Sequence, residues 1–266
     1  MIFCIYCRFS PLCKKMRNIK LVLEYDGTHY HGWQIQPNLP TIQGVVEDAI
    51  GQLTHSSIQL IGAGRTDSGV HAEGQVANFQ TNSLIPIAAF QSGTNTFLPS
   101  DVVVLEASEV DTDFHARFSA ISRYYRYTIL NRSYPSALLH RTCHHVSSKI
   151  NVEIANQICK CLIGKHDFSS FQKTGSDRTN PVCVFYKAFC HTRDDFILFE
   201  FEAESFLRGM VRAIVGTILK CIKDSNCNIS DATTQFLSIV DARDRSLAGP
   251  SVPANGLSLV KVKYSE

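Results

Sequence analysis

The chemistry this sequence could carry converges on one carboxylate. In Gly62-Ala63-Gly64-Arg65-Thr66-Asp67-Ser68-Gly69-Val70-His71, Asp67 stands two residues after Arg65 and four before His71, in a turn punctuated by glycine. A carboxylate so placed is a candidate nucleophile: it can attack a ring carbon or abstract a proton and later be expelled, dividing one hard step into easier ones. Glycoside hydrolysis wants a second carboxylate facing the first, and the nearest, Glu73, has no evident placement. The run Leu60 to Gly64 reads as a strand ending and Gly74 to Phe79 as the next strand. Asp67 therefore sits on a loop held at both ends by sheet, the usual place to display chemistry.

The same residues could serve an ordinary turn, with Asp67 capping its own backbone and glycine at positive φ. The density of polar function, with Arg65, Thr66, Asp67 and His71 in one connection, favours chemistry. A phosphate cradle is excluded: no Gly-Lys-Ser/Thr follows Gly62-Ala63-Gly64, and the stretch opens no helix.

Further motifs follow in order. They are Glu24-Tyr25-Asp26-Gly27-Thr28 with Gly32-Trp33-Gln34, Phe114-His115-Ala116-Arg117-Phe118-Ser119-Ala120, and Arg123-Tyr124-Tyr125-Arg126-Tyr127. Asp167-Phe168-Ser169-Ser170-Phe171, Met210-Val211-Arg212 with Ile214-Val215-Gly216, and Gly256-Leu257 complete the set. With the Asp67 loop, they make the chain resemble the tRNA pseudouridine synthase A family, enzymes that isomerise uridine in the anticodon arm of tRNA, over roughly residues 18 to 264. Ser68 stands where that family more often has Ala, and Ala213 follows Arg212 where Asn is common; neither change removes a group with obvious chemistry.

The resemblance implies a set of roles. Asp67 would be the essential aspartate, its target atom left open. Arg212 would be its partner, and Arg65 shares the electrostatic choices of steadying the carboxylate or holding a phosphate beside a flipped nucleotide. Tyr125 would be the active-site tyrosine against the substrate base, with Tyr124 or Tyr127 left to a core role. Leu257 would wall the uracil pocket. The reaction oxidises and hydrolyses nothing, so no cofactor is expected. The substrate uridines would be positions 38 to 40 of several tRNAs, and the enzyme a homodimer in which one subunit presents the anticodon arm to the other's site.

Composition is compatible with such an enzyme. The 266 residues are 44% hydrophobic and 19% charged, an ordinary balance for a chain able to bury a core. A net charge of +2 is too mild to identify a nucleic-acid partner, but its distribution is uneven. From Phe114 to Val152 there is no Asp or Glu, while Arg117, Arg123, Arg126, Arg132, Arg141 and Lys149 occur with Phe114, Phe118, Tyr124, Tyr125, Tyr127 and Tyr134 interleaved. Arg117 and Arg123 are therefore candidate RNA contacts, beside the plainer reading of a solvated strand with buried tyrosines.

Ten cysteines sit mostly in apolar runs and read as reduced, cytoplasmic thiols. Cys4 and Cys7 with Cys13 lack a second pair at zinc spacing, so no metal is expected. No apolar run is long enough to span a membrane. Residues 1–16 read as an extension or alternative start, 17–112 as a first α/β half bearing the Asp67 loop, and 113–266 as a second.

Periodicity gives the elements that must position these groups. In the first half, strands at 18–25, 58–63, 74–80 and 102–110 are interleaved with helices at 41–53 and 86–96. The second half repeats the order: strands at 122–131, 182–192, 195–203 and 257–264, with helices at 152–163, 206–222 and 230–240. This is α+β, two βαββαβ halves of ferredoxin-like, RRM-like order, able to join edge to edge into one mixed sheet with a basic cleft between them. In the strand at 196–204, Ile197, Phe199 and Phe201 should face the core and Glu200, Glu202 and Glu204 water. Arg208 and Arg212 should lie one turn apart on the edge of the following helix. Two other readings remain: a non-catalytic RNA-binding module, which would not need the Asp67 constellation, and a metal-dependent hydrolase built on His29-x-His31, His144-His145 or His166-Asp167, none with a convincing partner set.

Overall fold

Alternation of apolar residues gives each half of the chain strands with one core face, and hydrogen bonding joins the strands into a single sheet. The computed structural model describes residues 16–173, 175, 179–226 and 228–265. The leading segment with Cys4, Cys7 and Cys13 lies outside them. In chain order the elements are β1 (Arg17–Tyr25), α1 (Ile42–Thr54), β2 (Ile61–Gly62), β3 (His71–Thr81), α2 (Ile87–Phe97), β4 (Val102–Val110) and β5 (Ala120–Leu130). Then come β6 (His144–His145), α3 (Val152–Lys160), β7 (Gly164–Asp167), β8 (Val182–Arg193), β9 (Phe196–Ala203), α4 (Met210–Asp224), α5 (Ile229–Ala242) and β10 (Leu257–Tyr264).

The sheet runs β4-β1-β3-β10-β5-β9-β8-β7, with β2 on β3 and β6 on β5. The expected architecture is present. Within it the quartets β4-β1-β3-β2 and β10-β5-β9-β8 have the same internal order, so the second half repeats the first. They meet where β10 pairs in parallel with β3, at Ser258 opposite His71 and Leu259 opposite Ala72. Apolar side chains from both halves form one continuous core, including Ile19, Phe79, Phe199 and Ile214.

Local chemistry sets most boundaries. Thr41 caps α1 by accepting from Gly44 N–H at 3.4 Å, and Pro86 is the residue just before α2 rather than within its first turn. The strand expected at 58–63 is only Ile61–Gly62. Leu60 satisfies its backbone on α1 instead, donating to Glu47 at 2.8 Å and accepting from the Gln43 amide at 3.2 Å. The helix expected from Phe206 begins at Met210, because Gly209 takes φ of +71° and breaks the helical path, leaving Arg208 in the turn before it. The short strand β7 has too few residues and too polar a sequence to announce itself.

One expectation fails on β9. Glu200 and Glu202 do point away from Phe199 and Phe201, yet they are only 7% and 5% exposed. Glu202 accepts from Ser122 at 2.8 Å and Lys263 at 2.7 Å, and Glu200 faces Arg126 at 3.4 Å. Neighbouring strands carry long cationic side chains that cover these carboxylates, which alternation within one strand cannot reveal.

Candidate active site

The connection between β2 and β3 is irregular but tightly held. Tyr25 of β1 shares a 2.9 Å hydrogen bond with the Thr66 hydroxyl, and Trp33 N–H donates to the Thr66 carbonyl at 3.1 Å. Gln75, fully buried in β3, donates to the Gly64 carbonyl at 2.9 Å. Ser68 donates its hydroxyl to the Tyr30 carbonyl at 3.1 Å, and Val70 N–H donates to the Asp67 carbonyl at 3.1 Å. Gly32 makes this approach sterically feasible: its φ is +86°, and a Cβ there would lie 2.5 Å from the Thr66 carbonyl oxygen. Each interaction fixes backbone on one side of Asp67 or the other, so the carboxylate is presented by a rigid loop.

His71 anchors the far end. Its Nδ1 accepts from Gly27 N–H at 3.1 Å and its Nε2 donates to the Arg141 carbonyl at 2.8 Å. Asp26 also lies 3.1 Å from Nδ1. The loop is thereby tied to the turn after β1 in its own half and to the 131–143 connection of the other.

Across from it stands the entry to α4. Arg212 Nη1 donates to Asp67 Oδ2 at 3.4 Å while its Nε donates to the Val252 carbonyl at 2.8 Å. Arg208 Nε lies 3.9 Å from Oδ1. Gly209, the residue before the first turn of α4, lies beside the carboxylate; its φ of +71° is what favours glycine, since a Cβ there would make only an ordinary contact 3.8 Å from Oδ2. Asp67 thus faces two guanidinium groups and the positive end of a helix dipole, all supplied by the second half.

Tyr125, on the buried side of β5, packs edge-on to Phe206 with ring centres 5.0 Å apart. Burial pushes its phenol well above the ordinary tyrosine range; Arg123 partly offsets this and the charge of Asp67 adds to it. The group is a neutral phenol that can donate a hydrogen bond. Among the described residues its hydroxyl has no hydrogen-bond partner, whereas Tyr127 donates to the Pro253 carbonyl at 2.8 Å. Tyr124 lies half-buried on the other side of the strand. Leu257 is buried at the start of β10, opposite Tyr127 and next to Ser258, which aligns with His71.

The remaining candidates make other contacts. Arg65 is exposed and donates to Gln34 at 3.2 Å. Arg117 lies over the ring of Phe118, 5.4 Å from its centre. Arg123 donates to four carbonyls, those of Ala120, Glu204, Ala63 and Arg117, at 2.6 to 3.2 Å. It ties the Asp67 loop to the second half and has no obvious capacity left for a phosphate. Sequence reasoning missed Arg208 as a partner of Asp67 and Gln75 as a brace. A polar residue inside an apolar strand was the available signal for Gln75; Arg208 gave none, because its approach depends on the turn at Gly209.

Among the described residues, no group of three or more His, Cys, Asp or Glu is placed to hold a metal ion. His145 and His166 instead contact the carbonyls of Arg132 and Ile163. The described cysteines are free thiols, and no described helix is long and apolar enough to cross a membrane.

Comparison with known proteins agrees with this geometry. A protein of Acetivibrio thermocellus named tRNA pseudouridine synthase A is 45% identical over 250 residues, 94% of this chain and 100% of the relative. Proteins of the same name from Thermoanaerobacter sp. and Geobacter sp. are 43% and 38% identical, again over 94% of this chain and their whole lengths. The family model described as tRNA pseudouridine synthase matches residues 21–119 and 158–265, segments that contain Asp67, Arg212 and Leu257. With its carboxylate loop in one half facing the arginines of the other, and with relatives of this name over nearly its whole length, the chain belongs to the tRNA pseudouridine synthase family.

Proposed function

We propose that this protein isomerises uridine to pseudouridine in the anticodon arm of tRNA, at positions 38 to 40, with Asp67 as the essential group. The observation that carries the reading is the meeting of Asp67 with Arg212 at 3.4 Å, across the junction of the two halves. In the reaction the C1′–N1 bond breaks, the uracil turns, and a C1′–C5 bond forms; one proton leaves C5 and one is gained at N1. The target nucleotide must first leave the RNA stack, which costs a few kcal/mol, recovered through pocket contacts.

The residues divide the work. Asp67 attacks the sugar or uracil ring or takes a sugar proton, and is later released. Arg212, anchored on Val252, orients the carboxylate, with Arg208 adding charge at the rim. The phenol of Tyr125, unpartnered among the described residues, is available to the uracil, and Leu257 forms apolar wall beside it. Arg65 and Arg117 are exposed enough to meet phosphates, while Arg123 acts by holding the loop. Nothing in the isomerisation demands a cofactor. The family resemblance further supports a cytoplasmic homodimer acting across its subunits.

Tritium release from unmodified tRNA labelled at uracil C5 tests the proposal. Wild type is expected to release tritium and Asp67→Asn to bind tRNA without release. A wild-type protein that binds the RNA and releases nothing would replace this reading with that of a non-catalytic RNA-binding module.

A further inference from the structure

The turn at residues 114–119 is held from below by buried polar groups. Asn78 accepts from Ala116 N–H at 2.9 Å, Asn18 donates to the Phe114 carbonyl at 2.8 Å, and Tyr264 donates to the Ala116 carbonyl at 2.8 Å. Asn18 and Asn78 are 1% and 2% exposed. Within the turn, His115 Nδ1 accepts from the N–H groups of Arg117 and Phe118 at 3.2 and 3.3 Å, and Ser119 closes it from the other side. Yet the side chain at the tip, Phe118, is 76% exposed. Its ring lies against that of His115, tilted by 33° with centres 4.4 Å apart, and the Arg117 guanidinium is 5.4 Å from the Phe118 ring centre.

A phenyl ring fixed in water by so much structure gives the free protein little, because burial rather than exposure stabilises an aromatic side chain. Among the described residues no carboxylate pairs with Arg117. Asp111 and Asp113 precede the turn, and the Asp111 carbonyl accepts from Phe114 N–H at 3.1 Å. An aromatic face beside an unpaired cation matches an unstacked base and its phosphate, since bases stack on aromatic rings regardless of sequence and phosphates take guanidinium. The turn is also mechanically joined to the site: Arg123 Nη2 donates both to the Arg117 carbonyl at 2.6 Å and to the Ala63 carbonyl at 2.9 Å, four residues before Asp67.

We infer that Phe118, with His115 and Arg117, is a stacking subsite for an unpaired base of the RNA substrate other than the reacting uridine, with that nucleotide's phosphate on Arg117. The inference rests on the reading of the chain as an enzyme acting on tRNA. Arg123 links occupancy of this subsite to the position of the Asp67 loop.

The test measures affinity for an unmodified tRNA transcript and, separately, tritium-release kinetics. Phe118→Ala is expected to raise both Kd and KM about tenfold with little change in kcat or melting temperature, and Phe118→Trp to restore binding. Arg117→Gln should weaken binding and reduce the dependence of log Kd on log salt by about one ion. A Kd for Phe118→Ala within twofold of wild type, or a Trp variant as weak as Ala, overturns the proposal. So does an altered sedimentation coefficient with unchanged tRNA affinity, which would assign the ring to contact with a second copy of the chain. If wild type binds tRNA but releases no tritium, the functional reading fails while the Kd comparison still decides the subsite.

Discussion

The two halves assign their second and third strands the same topological place and use the connection between them differently. In the second half, β8 and β9 pair from Phe185 opposite Ala203 to Arg193 opposite Phe196, and residues 194 and 195 turn the chain. In the first, β2 pairs with β3 only at Ile61 and Gly62, and residues 63–70 form the loop that carries Asp67. The early end of the β2 ladder has two effects. It frees the backbone after Ala63, whose N–H still donates to the Val76 carbonyl at 2.7 Å, to be held by contacts outside the ladder, and it leaves the start of β3 open to β10. The Asp67 loop and the junction of the halves thus share one structural origin, and the proposed catalytic carboxylate sits where regular pairing stops.

The sharpest way to break this contrast is to remove one carboxylate from each connection. Asp67→Asn should lower turnover on the order of a thousandfold or more, as loss of a covalent or proton-transferring group does. Asp195→Asn, in the opposite hairpin, removes an exposed 3.3 Å pair with Arg132 and should leave turnover within twofold. Comparable losses in single-turnover assays would mean that the two connections are not functionally distinct.

The next test concerns backbone. Gly32→Ala must adopt a left-handed φ and crowd the Thr66 carbonyl, so it should cost about 3 kcal/mol in denaturant unfolding. In the second hairpin Asp194 already takes φ of +53°, and Asp194→Gly should change stability by less than about 1 kcal/mol. A mild Gly32→Ala would show that the loop yields, and the rigidity ascribed to it would be lost.

What the sequence revealed and what it hid follows the same division. The Asp67 loop, the helix start near Thr41 and the strand at 257–264 depend on a few neighbouring residues, and all were legible. The truncation of β2 was not, because Ile58 and Leu60 are as apolar as strand residues; the side chains of Gln43 and Glu47, arriving from α1, take the backbone bonds of Leu60 away from a ladder. The burial of Glu200 and Glu202 depends on Lys263 and Arg126 from other strands. Arg212 could be tied to Asp67 only through family likeness, since 145 residues separate them.

A smaller effect separates two tyrosines on one face of β5. Tyr125→Phe should reduce kcat by about ten- to a hundredfold and leave the melting temperature unchanged, because its hydroxyl has no partner among the described residues. Tyr127→Phe should do the reverse, costing about 1 kcal/mol of stability through the orphaned Pro253 carbonyl at unchanged kcat. Equal, small losses in both would leave neither hydroxyl special.

The smallest effect asks whether the charges of the second hairpin serve folding. Burial raises the carboxyl of Glu202, but hydrogen bonds from Lys263 and Ser122 and the charges of Lys263 and Lys187 outweigh it, so its pKa falls below the ordinary 4.5. Its contribution is therefore complete above about pH 4.5 and is lost as pH falls through the lower, folded value. Glu200 is shifted upward, by burial first and Glu73 second, so its ionisation opposes folding and the penalty is relieved as pH falls through its raised value. Glu202→Gln should cost about 1 kcal/mol at neutral pH, with the difference from wild type closing in acid, while Glu200→Gln should be neutral or slightly stabilising at neutral pH. Identical responses from these two residues, set on one strand and one face, would mean that the β8–β9 ladder holds the hairpin without help from its charges. The contrast between the halves would then rest on backbone pairing alone.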